Sequence, residues 1–140
     1  MHYIDTSVLT AYYCPEPRSA RVQRLLSKID GPTISPLVEV EFHCAVARKV
    51  RAGELDPADA HRIFAQFQAH LTESRYHHVP IGIAEYTQAR DWIARLTTPL
   101  RVLDALHLAA ATAHTLPLLT ADRTLARCAK KLGVQHEVIG

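Results

Sequence analysis

The chain has 140 residues, of which 48% are hydrophobic and 21% charged, and its formal net charge is +2. This length predicts one compact domain over residues 1–140, and so small a net charge does not by itself indicate a nucleic-acid-binding protein. Three widely separated cysteines argue against a disulfide framework and against structural zinc. No signal peptide or bilayer-spanning stretch is recognisable, so we expect a cytoplasmic protein without a membrane partner.

Short apolar runs alternate with amphipathic segments along the chain. The predicted elements are, in order, a strand at 3–4, a helix from Asp5 to 13, a helix capped by Ser19 to about 29, a strand at 33–35, helices over 36–52 and 57–71, a strand at 78–81, helices over 83–96 and 105–113, a strand at 118–120, a helix from Asp122 to 132 and a strand over 134–139. The pattern indicates an α/β fold with a mostly parallel central sheet and helices on both faces.

Two aspartates follow predicted strands at the carboxyl edge of this sheet, where parallel α/β folds bind ligands. Asp5 follows the first strand and Asp122 follows the fourth, whereas Asp104 opens the apolar helix over 105–113. Each of the three, taken alone, is explained by capping of a helix N-terminus. Together they indicate a shared acidic site.

Glu41 is harder to explain by local structure. Its helical neighbours at three and four residues are all apolar, which predicts that it projects from a core-facing stripe, whereas Glu39 points to the opposite side. A buried carboxylate needs a cation or an arginine beside it, and Arg48 on the same helix is the alternative partner.

Carboxylates brought together from separate elements repel each other unless a cation lies between them. Oxygen ligands suit Mg²⁺ or Mn²⁺, so the four acids predict a divalent-metal site for phosphodiester hydrolysis. Ser7 and Thr120 are predicted to orient a carboxylate or a metal-bound water, with ordinary turn or capping duty as the alternative. His107 is interpreted as a packed core residue without a catalytic role.

Four short motifs also resemble those of PIN-domain nucleases, in particular VapC toxins of bacterial toxin–antitoxin pairs. They are Tyr-Ile-Asp-Thr-Ser-Val-Leu at Asp5, Ile-Ser-Pro-Leu-Val-Glu-Val-Glu-Phe at Glu41, Leu-Asp-Ala-Leu-His-Leu-Ala-Ala-Ala at Asp104 and Leu-Leu-Thr-Ala-Asp-Arg-Thr-Leu-Ala at Asp122. Their order and spacing agree with the family over nearly the whole chain.

The resemblance implies a PIN-like fold and a Mg²⁺- or Mn²⁺-dependent endoribonuclease. It implies that the four acids surround the metal, with Asp5 and Asp104 as the most direct ligands, and that a metal-activated water attacks phosphorus to leave a 5′-phosphate and a 3′-hydroxyl. It also implies a cognate VapB-like antitoxin that blocks the cleft, and a homodimer.

RNA contact is expected from basic side chains beside the acids, and Arg101 and Arg123 are the candidates closest in sequence. Three alternatives remain open at this stage: a non-catalytic PIN-like module that binds RNA or protein, a phosphatase of the HAD type, and a structural set of caps with one buried ion pair. The HAD chemistry normally needs a second Asp two residues after the first, where this chain has Ser7.

Overall fold

A computed structural model describes residues 1–140 as five strands and seven helices. In chain order these are β1 (His2–Ile4), α1 (Thr6–Tyr13), α2 (Ser19–Leu26), β2 (Pro32–Ile34), α3 (Pro36–Arg51), α4 (Pro57–Thr72), β3 (His77–His78), α5 (Ile83–Ala94), α6 (Val102–Ala113), β4 (Leu118–Thr120), α7 (Arg123–Lys131) and β5 (His136–Val138). Every predicted element is present, and their order confirms the predicted alternation.

The five strands form one sheet in the order β3-β2-β1-β4-β5, and all four pairings are parallel. This confirms the predicted α/β architecture with helices on both faces. The chain builds outward from β1 to β2 and β3, then crosses back to β4 on the other side of β1. The direction of winding therefore reverses between β1 and β4, and such a reversal leaves a crevice at the carboxyl ends of the two strands.

The two edge strands, β3 and β5, are shorter than predicted because each ends where its pairing with the neighbouring strand ends. The strand expected over 78–81 pairs only through His77–His78, with one further hydrogen bond from the Val79 amide to the Ile34 carbonyl at 2.9 Å. Pro80 follows and has no amide hydrogen to continue the ladder. At the other edge, β5 pairs along the three residues of β4 and ends there.

Two of the predicted helix caps were wrong. Ser19 lies inside α2, and Arg18 is the residue at its N-cap. Asp104 does not begin α6: the helix starts at Val102, so the aspartate lies in its first turn with its side chain free of capping duty. Helix α2 also ends at Leu26, because the amides of Lys28 and Ile29 turn to tighter hydrogen bonds with the carbonyls three residues before them.

The core is a single cluster of 33 buried hydrophobic residues around the sheet. Helix α6 is central to it, since every side chain from Ala105 to Ala111 is buried. The prediction of a central, apolar helix here is confirmed. None of the seven helices combines the length and hydropathy needed to cross a bilayer.

Candidate active site

A cleft of about 1100 Å³ opens at the carboxyl ends of β1 and β4. All four predicted acids line it, although they come from four different parts of the chain: Asp5 follows β1, Glu41 lies on α3, Asp104 on α6 and Asp122 at the start of α7. The tertiary fold therefore brings the four acidic motifs to one surface.

Asp5 is held by two hydroxyl groups. The Ser7 Oγ donates to its Oδ1 at 2.5 Å and the Thr120 Oγ1 donates to its Oδ2 at 2.6 Å, while the Val8 amide reaches Oδ1 at 3.3 Å. Each hydroxyl also accepts from the backbone after β4: Ser7 from the Ala121 amide and Thr120 from the amide that follows, both at 2.9 Å. The carboxylate thus ties the end of β1 to the end of β4.

The two hydroxyls explain how so enclosed a carboxylate is tolerated. Asp5 is only 4% exposed, and this burial raises its pKa above the ordinary range. The hydrogen bonds from Ser7 and Thr120, together with the nearby His107, act in the opposite direction because they stabilise the ionised form.

Glu41 reaches the cleft from beside the buried stripe of α3, not from within it. The buried residues of this helix are Val38, Phe42 and Val46, and Cys44, which was expected to be core-facing, is exposed. The Glu41 side chain is 22% exposed. The prediction that Glu41 interrupts the core stripe was therefore wrong, although its side chain does enter the acidic cleft.

His107 is the partner of Glu41, a pairing that was not predicted from the sequence. The imidazole Nε2 contacts the Glu41 Oε1, which also accepts a hydrogen bond from the Thr6 Oγ1 at 2.9 Å. Arg48, the partner considered from the sequence, makes no ion pair with Glu41. The histidine is buried as predicted, at 2% exposure, but its ring edge faces the cleft.

A chain of buried hydrogen bonds continues behind this histidine. The His107 Nδ1 lies 2.8 Å from the Tyr3 hydroxyl, which in turn lies 2.7 Å from the Ser35 Oγ. When Nε2 donates to Glu41, Nδ1 of the neutral ring accepts from Tyr3, and the tyrosine oxygen accepts from Ser35. The chain thereby sets the tautomer and the orientation of the ring.

This environment favours the ionised form of Glu41. Partial burial opposes ionisation, but the hydrogen bond and electrostatic effect of His107, together with the hydrogen bond from Thr6, outweigh it, so the pKa of Glu41 is lowered. The pKa of Asp5 is therefore raised, whereas the pKa of Glu41 is lowered.

Asp104 is the least compensated carboxylate in the cleft. Neither of its oxygens accepts a hydrogen bond from the protein, and the closest cation is the Arg101 Nε at 3.9 Å, on a side chain that is 85% exposed. Burial first, and then the charge of Asp122, raise the pKa of Asp104, and the nearby His107 and Arg101 offset only part of that rise.

Asp122 is a helix cap that also lines the cleft. Its Oδ1 accepts from the amides of Thr124 at 2.8 Å and Leu125 at 3.2 Å, at the start of α7. The capping alternative considered from the sequence therefore applies to this residue, and to Asp5 through Val8, but not to Asp104.

The oxygen atoms of the cleft can be compared with the ligands that a divalent cation requires. Four carboxylates on one cleft are the oxygen ligands that Mg²⁺ or Mn²⁺ requires, and the uncompensated charge at Asp104 is one that a cation would neutralise. No group of three or more His, Cys, Asp or Glu side chains, however, has the arrangement of a preformed metal site. The residues thus fit a metal in chemical type, and their side chains would need to move to enclose it.

The two arginines predicted to contact RNA lie in different places. Arg101 lines the cleft beside Asp104. Arg123 is exposed on α7 and does not line the cleft. Three basic residues that the prediction did not name for this role do line it: Arg18, Arg48 and Lys49.

Comparison with known families identifies the fold. The family model described as "PIN domain" matches residues 2–131, which is nearly the whole chain. The chain belongs to the PIN-domain family. No curated protein matches the sequence at a significant level.

Solved structures agree with this PIN fold over almost their full lengths. FitAcB from Neisseria gonorrhoeae is 20% identical, with 97% of this chain and 96% of that chain covered and a TM-score of 0.70. The toxin VapC20 of Mycobacterium tuberculosis, described as cleaving the sarcin–ricin loop, is 17% identical, with 91% and 94% covered and a TM-score of 0.70. DNA-bound VapBC from Salmonella typhimurium is 20% identical, with 98% and 96% covered and a TM-score of 0.64. At these identities the similarity shows a shared fold.

Proposed function

We propose that this PIN domain is a Mg²⁺- or Mn²⁺-dependent endoribonuclease and the toxin of a VapBC-type toxin–antitoxin pair. The observation that carries the proposal is that the acids of all four motifs line one cleft, and that Asp104 there accepts no hydrogen bond and has only the exposed Arg101, at 3.9 Å, as a counterion. Clustered negative charge at a site for a polyanion is unfavourable unless a cation is bound.

Asp104 and Asp5 are the proposed principal metal ligands, with Glu41 and Asp122 completing the set. A bound divalent ion supplies polarisation of the phosphoryl oxygen and a lowered pKa for its water. The protein's own contribution is orientation: Ser7 and Thr120 fix the Asp5 carboxylate, and His107 fixes Glu41 in its ionised form. Such supporting contacts commonly decide ligand geometry.

The partner part of the proposal is supported by the kind of structure that the fold resembles. The similar structures include FitAB bound to a DNA fragment, VapBC2 from Rickettsia felis bound to promoter DNA and VapBC-1 from Haemophilus influenzae, all toxin–antitoxin names. We propose an antitoxin of the VapB kind as the partner that covers the cleft, and single-stranded RNA as the substrate. Homodimer formation stays a prediction from the resemblance, and a cytoplasmic location stays a prediction from the sequence.

The test is cleavage of single-stranded RNA by purified, antitoxin-free protein in Mg²⁺ or Mn²⁺ and in excess EDTA. Asp104→Asn is the informative variant because this side chain makes no hydrogen bond whose loss would perturb the fold. Asp59→Asn is the matched control, since Asp59 is exposed on α4 and pairs only with Arg62.

We expect cleavage by the wild type and by Asp59→Asn in metal, and none by Asp104→Asn or in EDTA. Intact RNA under every metal condition, with RNA still bound, would indicate instead the non-catalytic binding module. Cleavage that persists in EDTA and in Asp104→Asn would contradict the metal mechanism.

A further inference from the structure

The wall of the cleft that faces the acids carries two arginines whose positive charge is not neutralised. Arg18 and Arg48 both line the cleft, and neither forms an ion pair with any carboxylate within 4.0 Å. Arg18 is the N-cap residue of α2 and Arg48 lies on α3, and neither belongs to one of the four acidic motifs, so the motif pattern does not reveal them.

Arg18 is fixed in position by the strand that carries the site. Its Nη1 donates to the carbonyl of Ala121 at 2.6 Å, and Ala121 lies between Thr120 and Asp122. A carbonyl contact orients the guanidinium without cancelling its charge, and the remaining N–H donors make no contact with the protein. The group thus stands at the acidic edge with donors free for an anion.

Arg48 follows Glu41 by two turns of α3 and projects into the same cleft. Its guanidinium makes no hydrogen bond, but its charge is felt at the site: burial raises the pKa of Glu41, and Arg48, after His107 and Thr6, is among the groups that lower it. The arginine is close enough to influence Glu41 without forming an ion pair with it.

The other cations near the cleft are compensated or turned away. The Lys49 Nζ lies 3.2 Å from Glu16 and 3.5 Å from Glu54, so two carboxylates offset its charge. Arg101 lies over Asp104 at 3.9 Å, and Arg123 is outside the cleft. Only the first two arginines therefore combine a place in the cleft with an unpaired charge.

We propose that Arg18 and Arg48 form a phosphate-binding wall that positions the backbone of single-stranded RNA against the acidic cleft. The inference rests on the proposed ribonuclease function and extends it to the groups that hold the substrate. A guanidinium presents several donors to phosphate oxygens, and phosphate contacts supply affinity that does not depend on sequence. An anionic strand entering this cleft is otherwise repelled by four carboxylates.

The experiment measures RNA binding separately from cleavage. A fluorescent single-stranded RNA is titrated by anisotropy in EDTA, in an Asp104→Asn background, at several salt concentrations, and a gel shows that the RNA stays intact.

Arg18→Ala and Arg48→Ala are compared with two matched controls. Arg21→Ala removes an arginine of α2 that also contacts a backbone carbonyl, that of Gly140, and Arg51→Ala removes an exposed arginine of α3; neither control residue lines the cleft.

We expect each cleft variant to weaken binding about tenfold, since hydrogen bonds between charged groups are among the stronger ones, and to reduce the slope of log affinity against log salt by about 0.7. Both controls should leave the slope unchanged. Because Arg18→Ala also loses the Ala121 contact, Arg18→Lys is included; it should recover part of the affinity and most of the slope.

Equal losses of RNA affinity in the cleft and control variants would overturn the proposal. An unchanged slope of log affinity against log salt in Arg18→Ala and Arg48→Ala would also overturn it. Equally tight binding of a polyglutamate peptide of matched charge would also overturn it, since the wall would then serve acidic protein segments. Failure here is distinguishable from failure of the ribonuclease proposal, because binding is read without metal and without cleavage.

Discussion

His107 holds Glu41 from inside the protein: its Nε2 contacts the Glu41 carboxylate at the cleft, and the rest of the ring is buried. Behind it, Tyr3 and Ser35 complete a hydrogen-bonded chain that has no contact with the cleft except through the histidine. Glu41 is therefore oriented by His107 and, through it, by Tyr3, both of which lie far from it in sequence.

Removing this support should reduce activity more than stability alone explains. In Tyr3→Phe the ring stays in place, but His107 and Ser35 lose a buried partner, at about 1–3 kcal/mol of folding free energy. We expect the kcat of Tyr3→Phe for RNA cleavage to fall about tenfold or more, with a smaller change in KM. The kcat of His107→Ala should fall further.

Tyr13→Phe is the matched control for Tyr3→Phe. Tyr13 is also buried, and its hydroxyl bonds to His70 at 2.6 Å and to Tyr76 at 2.7 Å, away from the cleft. Chemical denaturation should show a similar loss of stability, whereas kcat should stay at the wild-type value. Parallel losses of kcat in both variants would show that the chain behind His107 acts only on stability.

Thr120→Val should disturb Asp5 directly. The substitution keeps the shape of the buried side chain but removes the hydroxyl that donates to Asp5 and accepts from the Asp122 amide. We expect a loss of about 1–3 kcal/mol and a fall in cleavage rate of about 10–100-fold.

Thr33→Val controls for the loss of a buried threonine hydroxyl on another strand of the sheet, β2. Thr33 is 1% exposed and donates to the Gly31 carbonyl at 3.1 Å, away from the cleft. The Thr33→Val variant should lose stability and retain the wild-type cleavage rate. A Thr120→Val variant with the wild-type cleavage rate would argue against a role for the Thr120 hydroxyl in holding Asp5.

Asp104→Asn should stabilise the metal-free protein at neutral pH. Burial and the charge of Asp122 raise the pKa of Asp104 on folding, so the stability it contributes is complete below the unfolded pKa, near 3.8, and is lost as pH rises through the folded pKa. The asparagine variant does not undergo that loss.

Thermal melting in EDTA checks this expectation. The variant should melt a few degrees above wild type at pH 7, and the difference should shrink toward pH 4. Asp59→Asn, exposed on α4, should show no such trend. A variant that melts below wild type at pH 7 would mean that Asp104 is stabilised by contacts other than those present here.

Glu41→Gln and Glu39→Gln should distinguish the roles of the two glutamates of α3 in RNA cleavage. Glu39 contacts only His78, at 3.8 Å, and does not line the cleft, so its variant should cleave RNA at the wild-type rate. Glu41→Gln should lose cleavage by about 100-fold, the upper range for a disturbed metal environment.

The pH dependence of Glu41→Gln should also differ in sign from that of Asp104→Asn. The pKa of Glu41 is lowered on folding, so its stabilisation is present above its unfolded pKa and is lost as pH falls through the folded pKa. Urea denaturation at pH 7 should therefore show the variant less stable than wild type, with the deficit narrowing in acid. A deficit that is constant with pH would assign the effect to packing.

The sequence was sufficient to predict the architecture and the four acids of the cleft. Alternating apolar strands and helices report local structure directly, and a parallel sheet places the residues that follow its strands at one edge. Asp5 and Asp122 could be located in this way, because each stands one or two residues after a strand.

The contacts that orient the acids were decided by the tertiary structure alone. His107 lies 66 residues from Glu41 and 104 from Tyr3, and no periodicity relates them. Their hydrogen bonds depend on how α6 packs against β1 and α3. The same reason explains the arginines. Proximity in sequence favoured Arg123, which lies outside the cleft, whereas Arg18, at the N-cap of α2, lines it and donates to the Ala121 carbonyl just after β4.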